Sequence, residues 1–167
     1  MGLFASQARR WKLPVIKREA AQIAPGAGRF RVDAGDVVRR GRAVILCPGA
    51  LFKNLGVPGE GPLRGKGVFH CAFENARKFT GADVAVVGGG DAALHQALLL
   101  SRYTEMVYLI HRGARFKAIG KLQENLRRRS NIKVILNSRV GMCEGAAEGR
   151  VRGIEIEGMK SGARRRL

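Results

Sequence analysis

The chain of 167 residues carries 31 lysines and arginines against 13 acidic residues, a formal net charge of +18. This length suits one domain, or one and a half, and the apolar content is sufficient for a core. No apolar run approaches the length that spans a bilayer and no secretory leader opens the chain, so we expect a cytoplasmic protein with no membrane association. The three cysteines, Cys47, Cys71 and Cys143, are far apart, and no cysteine or histidine spacing indicates a metal site.

The positive charge makes nucleic acid an alternative partner. The basic residues are scattered from Arg9 to Arg166, and the densest runs, residues 127–129 and 164–166, contain no interleaved aromatic residues. No DNA-recognition helix, zinc finger or single-strand-binding motif accompanies them. An arginine-rich composition, or a fragment that lacks an acidic partner surface, would also explain the charge.

The N-terminal part of the chain is predicted to be a helix followed by short strands. Residues 3–11 have the pattern of a helix, which Pro14 ends, and residues 15–16 begin a strand. Apolar pairs on either side of residues 33–36, sequence DAGD, predict a hairpin. Residues 26–28, sequence GAG, are not predicted to bind a dinucleotide, because a preceding strand, a following helix and a third glycine are all lacking.

A buried strand is predicted at residues 43–47, AVILC, and it ends in the turn formed by Pro48, Gly49 and Ala50. Residues 51–66 are rich in glycine and proline and are typical of a linker between two units. Residues 68–79 then lead into the second unit.

Three glycines, Gly88, Gly89 and Gly90, lie between an apolar strand at residues 84–87 and a helix at residues 92–100. This is the context of a dinucleotide-binding GxGxxG motif, here GxGxxA with Gly88, Gly90 and Ala93. Gly88 permits the tight turn, Gly90 lets a pyrophosphate approach the backbone, and Ala93 permits close packing of the helix on the strand. The helix N-terminus offers free N–H groups to the phosphates. A tight turn without a ligand is the alternative.

A second strand, residues 106–110, is followed by His111, Arg112, Arg115 and Lys117, with no acidic residue nearby. An NAD site needs a carboxylate here to accept a hydrogen bond from the ribose 2′-hydroxyl, whereas basic residues suit a 2′-phosphate. The sequence therefore favours NADPH over NADH. In so basic a chain, a solvated charged loop is an equally good explanation of these residues.

The remaining pattern completes an α/β unit. Residues 118–128 predict a helix with Leu122 and Leu126 on one face, and residues 132–136 predict a third parallel strand. Residues 140–142 and 151–156 predict strands of an antiparallel layer. Residues 159–167 end in RRRL and are predicted to form a basic tail with no core.

Four segments, in this order, resemble the thioredoxin reductase-like flavoproteins of the low-molecular-weight bacterial type. They are AVILCPGA at residues 43–50, LGVPGE at 55–60, the glycine turn with its helix at 83–100, and HRGARFKA at 111–118. The resemblance covers residues 15–158. In that family NADPH reduces FAD, reduced FAD reduces a CxxC disulfide carried on the nucleotide domain, and the two domains swivel between these steps.

The resemblance implies cofactor contacts in three places. The phosphate turn and its helix would supply Gly88, Gly89, Gly90, Asp91, Ala92 and Ala93; the 2′-phosphate segment would supply His111, Arg112, Arg115 and Lys117; and Gly49 and Ala50 would lie near FAD.

The redox motif departs from the family's pattern. The family's CATCD segment corresponds to residues 71–75, CAFEN, so Glu74 replaces the second cysteine and Asn75 replaces the acid. One thiol cannot form this disulfide, and an amide cannot donate a proton as a carboxylic acid does, so we do not expect thioredoxin reduction by the dithiol route. Cys71 is the one candidate catalytic residue, and a small buried hydrophobic residue is the alternative. Family relatives without the dithiol include ferredoxin–NADP reductases, so the electron acceptor stays open.

Other departures affect single contacts. Gly113 and Lys117 replace two arginines of the 2′-phosphate segment, and Ala92 replaces a hydroxyl residue at the phosphate turn. Asp91 matches the family's Asp or Asn, and a helix N-cap explains it equally well. Pro48 replaces the threonine of the turn near FAD, and the family's opening and closing FAD segments are not present. We therefore do not expect this chain to retain FAD.

Together these observations predict an α/β fold. A Rossmann-like, three-layer domain with an antiparallel β layer would span residues 65–158. A partial β-rich FAD-domain remnant and linker would precede it at residues 1–64, and a truncated basic tail would follow at residues 159–167. The predicted function is the NADPH-binding portion of an FAD-dependent NAD(P)H oxidoreductase. A non-catalytic module that binds NADPH or a partner is the alternative, with a second copy or the missing FAD-domain segments as the protein partner.

Overall fold

A computed structural model describes residues 2–49, 51–73 and 75–167. The chain divides into two compact units, Met1–Ala50 and Leu51–Leu167. Among the described residues, no helix is long and apolar enough to cross a membrane.

The first unit contains one helix and a three-stranded antiparallel sheet. The helix α1 (Gly2–Arg10) is followed by β1 (Gln22–Gly26), β2 (Arg29–Ala34) and β3 (Val37–Gly41), which pair in chain order. The turn between β2 and β3 contains Gly35 at a φ of +67°, a conformation that favours glycine. The predicted helix and the predicted hairpin at residues 33–36 are confirmed.

Three predictions for the first unit are wrong. Residues 43–47 form no strand, and Ile45 and Leu46 are 90% and 67% exposed, because this segment pairs with no described strand. Residues 15–16 likewise lie outside any strand. A strand does precede Ala27, since β1 runs to Gly26, but the turn that follows leads into the hairpin partner β2 rather than into a helix.

The second unit is built on a parallel sheet of β4 (Asp83–Val87), β5 (Met106–Ile110) and β6 (Ile132–Ile135), in the order β4-β5-β6. The helix α2 (Asp91–Leu100) connects the first two strands and α3 (Gly120–Arg127) connects the last two, while a short 3-10 helix, Ala76–Phe79, precedes them. Val87 pairs with Ile110, which pairs with Ile135, so the carboxyl ends of the strands are aligned. The loops that follow these strands therefore start from one edge of the sheet.

An antiparallel sheet covers the other face of the parallel one. Its strands are β7 (Ser138–Glu144), β8 (Gly153–Gly158) and β9 (Arg164–Arg166), paired in chain order. The prediction of a basic tail without a core at residues 159–167 is wrong, because β9 pairs with the free edge of β8. Leu167 and Ile154 exchange backbone hydrogen bonds of 2.9 and 3.0 Å, and the side chain of Leu167 packs against the core.

The second unit has three layers, and a hydrophobic cluster lies between each layer and the next. Alternation along β5 sends Val107 and Leu109 to one face of the sheet and Ile110 to the other. The first cluster joins the parallel sheet to the buried faces of α2 and α3, including Leu94, Ala97, Leu122 and Leu126. The second joins it to the antiparallel sheet and contains Leu63, Ile110, Ile135, Val140, Cys143 and Ile156. The predicted three-layer α/β architecture is confirmed.

The segment predicted to be a linker is integrated into the second unit. Leu63 is fully buried in the second cluster, and the N–H of Cys143 donates a 2.9 Å hydrogen bond to the carbonyl of Pro58. Gly59 has a φ of +83°, and a Cβ there would collide with the carbonyl of Cys143. This compact unit begins before residue 65 and ends after residue 158. How residues 1–64, 65–158 and 159–167 divide between functional domains stays a prediction.

Candidate functional site

The glycine turn connects the end of β4 to the start of α2. Gly88 has a φ of +145°, and a Cβ there would lie 2.8 Å from the Cβ of Ala93. The N–H of Gly88 donates a 3.0 Å hydrogen bond to the carbonyl of Ile110, which fixes the turn to the end of β5. Gly90 is the N-cap residue of α2, and no side chain caps this helix. The N–H of Ala93 bonds to the carbonyl of Gly90, whereas the N–H groups of Asp91 and Ala92 precede the first intrahelical hydrogen bond and are left for other acceptors.

The other two glycines of the turn face different surroundings. A Cβ on Gly89 would collide with the imidazole ring of His111, so this position is restricted by a protein side chain. Apart from its neighbours in the chain, no described residue has an atom within 4 Å of the place that a Cβ on Gly90 would occupy. The surface of the turn is consequently open at Gly90 and closed at Gly89.

The loop after β5 is held against this turn by backbone hydrogen bonds. The carbonyl of Gly89 accepts from the N–H groups of Lys117 and Ala118, at 2.7 and 3.2 Å. Nε2 of His111 lies 3.1 Å from the carbonyl oxygen of Arg115. The loop that carries the basic residues and the glycine turn are therefore fixed to each other.

The carboxylate of Asp91 belongs to this contact and does not cap its own helix. Asp91 is the first residue of α2, and its Oδ1 accepts a 2.9 Å hydrogen bond from the N–H of Ile119, the N-cap residue of α3. The interpretation of Asp91 as the N-cap of α2 is therefore wrong, because the backbone already places Gly90 in that position.

A cleft of about 770 Å³ opens beside the turn. Its walls come from four parts of the chain that are distant in sequence. They are residues 55–58 of the linker, residues 87–90 of the turn, residues 110–112 with Lys117 after β5, and the antiparallel sheet with residues 138–141, Glu155, Glu157 and Arg164.

The cations that line this cleft differ in their partners. Arg139 binds Glu157 through Nε and Nη2, at 3.1 and 2.9 Å, and Nη1 of Arg164 lies 3.4 Å from Glu155. Within the described part of the chain, Arg112 and Lys117 form no ion pair. The two acidic residues of the cleft are thus already paired with arginines, and the uncompensated charge lies on the loop after β5.

The structure brings some of the predicted site residues together and separates others. Gly88, Gly89, Gly90, His111, Arg112 and Lys117 all line the cleft. Arg115 is exposed and does not line it. Ala92 and Ala93 do not line the cleft but line a second cavity, of about 680 Å³, beside β4, and the lining of this cavity also includes Gly88, Gly89 and Gly90. Gly49 lies in the exposed segment of the first unit, and Ala50 lies outside the described residues.

The candidate redox residue stands apart from the cleft. Cys71 is half-buried and is a free thiol, and the N–H of the next residue, Ala72, donates a 2.9 Å hydrogen bond to Oε1 of Gln96 on α2. Cys71 is not among the residues that line the cleft, and Glu74 lies outside the described residues. The part of the chain that the structure describes contains no group of three or more His, Cys, Asp or Glu side chains that could hold a metal ion.

Sequence reasoning missed Glu60, which shapes the linker wall of the cleft. This residue is only 4% exposed, and its carboxylate accepts hydrogen bonds from the N–H groups of Leu55 and Gly56, at 2.9 and 2.7 Å. Burial raises the pKa of Glu60, but the N–H groups of residues 55–57 and the charge of His70 outweigh burial, so the pKa is lowered. The signal in the sequence was an acidic residue placed directly after a glycine-rich turn.

Glu60 also affects the buried thiol of the second cluster. Burial raises the pKa of Cys143, and the negative charge of Glu60 raises it further. Cys143 is therefore a packing residue, with its thiol held in the protonated form.

Comparisons with known proteins agree with this architecture. The family described as pyridine nucleotide-disulphide oxidoreductase matches residues 12–163. The thioredoxin reductase of Mycolicibacterium smegmatis is 38% identical over 136 residues, which are 81% of this chain and 43% of that protein. The thioredoxin reductase of Streptomyces coelicolor is 30% identical over 158 residues, 94% of this chain and 48% of that protein.

The solved structure of the thioredoxin reductase from Giardia duodenalis superposes with a TM-score of 0.83 and 27% identity, over 99% of this chain and 54% of that one. The chain thus spans about half the length of the relatives it matches. The resemblance inferred from the four sequence segments is confirmed. The chain belongs to the pyridine nucleotide-disulphide oxidoreductase family and is thioredoxin reductase-like in sequence and fold.

Proposed function

We propose that this chain is the NADPH-binding portion of a thioredoxin reductase-like, FAD-dependent oxidoreductase. In this proposal the pyrophosphate lies on the glycine turn, and the adenosine 2′-phosphate lies between Arg112 and Lys117. The observation that carries the proposal is the pair of uncompensated cations in the same cleft as the turn.

The open surface at Gly90 supports the pyrophosphate position. An anion can approach the backbone there without meeting a side chain, and it would accept hydrogen bonds from the unpartnered N–H groups of α2. The partial positive charge of the helix N-terminus would add to this attraction. Ala92 supplies no hydroxyl donor, so the backbone would hold the phosphates.

The charges of the cleft support NADPH over NADH. In an NAD site, the residue at the end of the second strand is acidic, and its carboxylate binds the ribose 2′-hydroxyl. Here that place is taken by His111 and Arg112, and the two carboxylates that line the cleft in the described part of the chain, Glu155 and Glu157, are engaged by arginines. A guanidinium and an ammonium group are suited to a dianionic phosphate.

We do not propose FAD binding by this chain. Residues 43–49 are an exposed segment without a strand, and Gly26 to Gly28 are part of a hairpin. The chain contains no CxxC pair. The role proposed for this chain is therefore to bind and orient NADPH. Transfer of hydride to a flavin, and from there to an acceptor, is proposed only for the complete protein.

The test is calorimetric titration of the chain and two variants with NADPH and with NADH. Because charge-assisted hydrogen bonds contribute about 1.5–3 kcal/mol, Arg112→Ala should weaken NADPH binding about tenfold or more and leave NADH binding nearly unchanged. Arg115→Ala removes the same charge from the same loop outside the cleft, and it should change neither affinity by more than about twofold. Equal losses for both nucleotides, or equal effects of the two variants, would contradict the proposal.

A further inference from the structure

Asp91 joins two parts of the candidate site that are 28 residues apart in sequence. Its carboxylate is exposed and lies at the first turn of α2, where the dipole of the helix favours a negative charge. However, the only hydrogen bond that its side chain makes in the described structure is to the N–H of Ile119. Asp91 therefore acts on another element and not on its own helix.

The segment that receives this hydrogen bond carries one of the two uncompensated cations. Three consecutive N–H groups, those of Lys117, Ala118 and Ile119, donate to the carbonyl of Gly89 or to Asp91, at 2.7, 3.2 and 2.9 Å. Ala118 is also held by burial of its side chain. The side chain of Ile119 is 58% exposed, so packing contributes little to its position. Its carbonyl accepts hydrogen bonds from Leu122 and Gln123 at the start of α3, and its N–H is held by Asp91.

The charge of Asp91 makes a direct role in phosphate binding unfavourable. A carboxylate one residue after the turn repels the pyrophosphate, and removing it should strengthen the binding of any dinucleotide if charge were its only effect. The presence of a carboxylate beside an anion site is explained if this side chain has a structural role whose benefit outweighs the repulsion.

We propose that Asp91 is a positioning residue for recognition of the 2′-phosphate. It holds the N–H of Ile119 and thereby keeps Lys117 in the cleft, and it makes no contact with the nucleotide. This inference rests on the proposed function, because it requires that Lys117 binds the 2′-phosphate.

Two variants separate the acceptor from the charge. Asp91→Asn removes the charge and keeps an oxygen that accepts from Ile119, whereas Asp91→Ala removes both. In the full chain, Asp91→Ala should lower the affinity for NADPH about threefold to tenfold relative to that for NADH, since Lys117 would be held less firmly and only part of the free energy of the lost Asp91–Ile119 hydrogen bond would reach the nucleotide. Asp91→Asn should keep the wild-type ratio of the two affinities and should bind both nucleotides at least as tightly as wild type.

A second measurement reports on the hydrogen bond itself. Amide hydrogen exchange at Ile119, followed by NMR, should be faster in Asp91→Ala than in wild type and close to wild type in Asp91→Asn. Thermal unfolding of each variant checks that the chain is folded.

The outcomes distinguish this inference from the proposed function. If wild type prefers NADPH but Asp91→Ala has the wild-type ratio of affinities, the positioning role is refuted and the proposed function stands. An Asp91→Asn variant that loses the preference together with Asp91→Ala would also refute it, because the charge would then be the cause. If wild type does not prefer NADPH, the proposed function fails and this inference fails with it, whatever the exchange at Ile119.

Discussion

Single buried or paired side chains decide the chemistry of this site. Glu60 lies almost without solvent contact, yet its carboxylate is stabilised in the charged form by the N–H groups of the loop that it holds. Arg139 and Arg164 are exposed instead of buried, and each is paired with a carboxylate, that of Glu157 or Glu155. The charge that remains for a ligand depends on these pairings and not on the number of arginines.

The lowered pKa of Glu60 predicts a pH-dependent contribution to stability. A carboxyl group whose pKa is lower in the folded than in the unfolded state stabilises the fold above the unfolded pKa, and this contribution is lost as the pH falls through the folded pKa. Glu60→Gln should lower the free energy of unfolding by about 1–3 kcal/mol at neutral pH, because an amide cannot satisfy both N–H groups. The difference from wild type should shrink when the pH is lowered to about 3.

Urea denaturation at both pH values measures this effect. Glu148→Gln is the control, because Glu148 is exposed and makes no hydrogen bond or ion pair in the described structure. A difference between wild type and Glu60→Gln that is the same at both pH values would show that the charge of Glu60 does not contribute.

At the scale of the elements, the glycine turn and the loop after β5 behave as one piece. Hydrogen bonds from Gly88, Lys117, Ala118 and Ile119 cross between them, and the ring of His111 packs on Gly89. A similar dependence on a neighbour explains β9, where Arg164 and Arg166 pair with Glu155 and Glu144. A run of arginines forms a strand here because β8 supplies the backbone partners, and β8 and β7 supply the opposite charges of Glu155 and Glu144.

The different surroundings of the glycines predict different effects of the same substitution. Gly88→Ala should destabilise the fold by about 1–3 kcal/mol, because alanine is strained at a φ of +145° and its methyl group would meet Ala93. Gly90→Ala should leave the stability nearly unchanged, since φ is −98° and no described residue beyond its chain neighbours comes near a Cβ at this position, but it should weaken the binding of NADPH and NADH alike. Thermal unfolding and nucleotide titration of both variants provide the measurement. If Gly90→Ala bound both nucleotides as tightly as wild type, the proposed position of the pyrophosphate on this turn would be contradicted.

At the scale of the whole molecule, burial is distributed unevenly between the two units. The fully buried apolar side chains of the described residues lie between Leu63 and Ile156, whereas residues 5–49 contain none. Burial of apolar surface is the main source of stability, so the unit Leu51–Leu167 should be much the more stable of the two. The chain has basic residues throughout, which makes trypsin a suitable probe.

Limited proteolysis with trypsin should first cut within residues 9–53 and leave a resistant fragment that begins between residues 43 and 54. Mass spectrometry of the early fragments identifies these cuts. Cleavage within residues 64–152 at the same rate would contradict the predicted difference in stability. NADPH should protect this fragment further, because a ligand that binds only the folded state stabilises it.

Much of the second unit could be predicted because its signals are local. The strands at residues 83–87 and 106–110, the glycine turn and the two helices each depend on residues that are neighbours in the chain. The prediction of a strand at residues 43–47 is wrong because an apolar run indicates only a tendency to be buried, whereas a strand must also pair with the edge of another strand. The strand β9 was missed for the complementary reason, since nothing local in RRRL indicates pairing.

The sequence by itself determined the family, the succession of strands and helices along the parallel part of the chain, and the presence of a basic loop after the second of these strands. It could do so because motif spacing and periodicity are properties of contiguous residues. The tertiary structure alone decided which members of that loop face the cleft. Arg112 and Lys117 line it while Arg115 does not, and Glu155 and Glu157 neutralise two further arginines from strands that lie far along the chain. It also gave Asp91 its partner in Ile119. The physical reason is that ion pairs and hydrogen bonds of this kind depend on distances of a few ångströms between residues that only folding brings together.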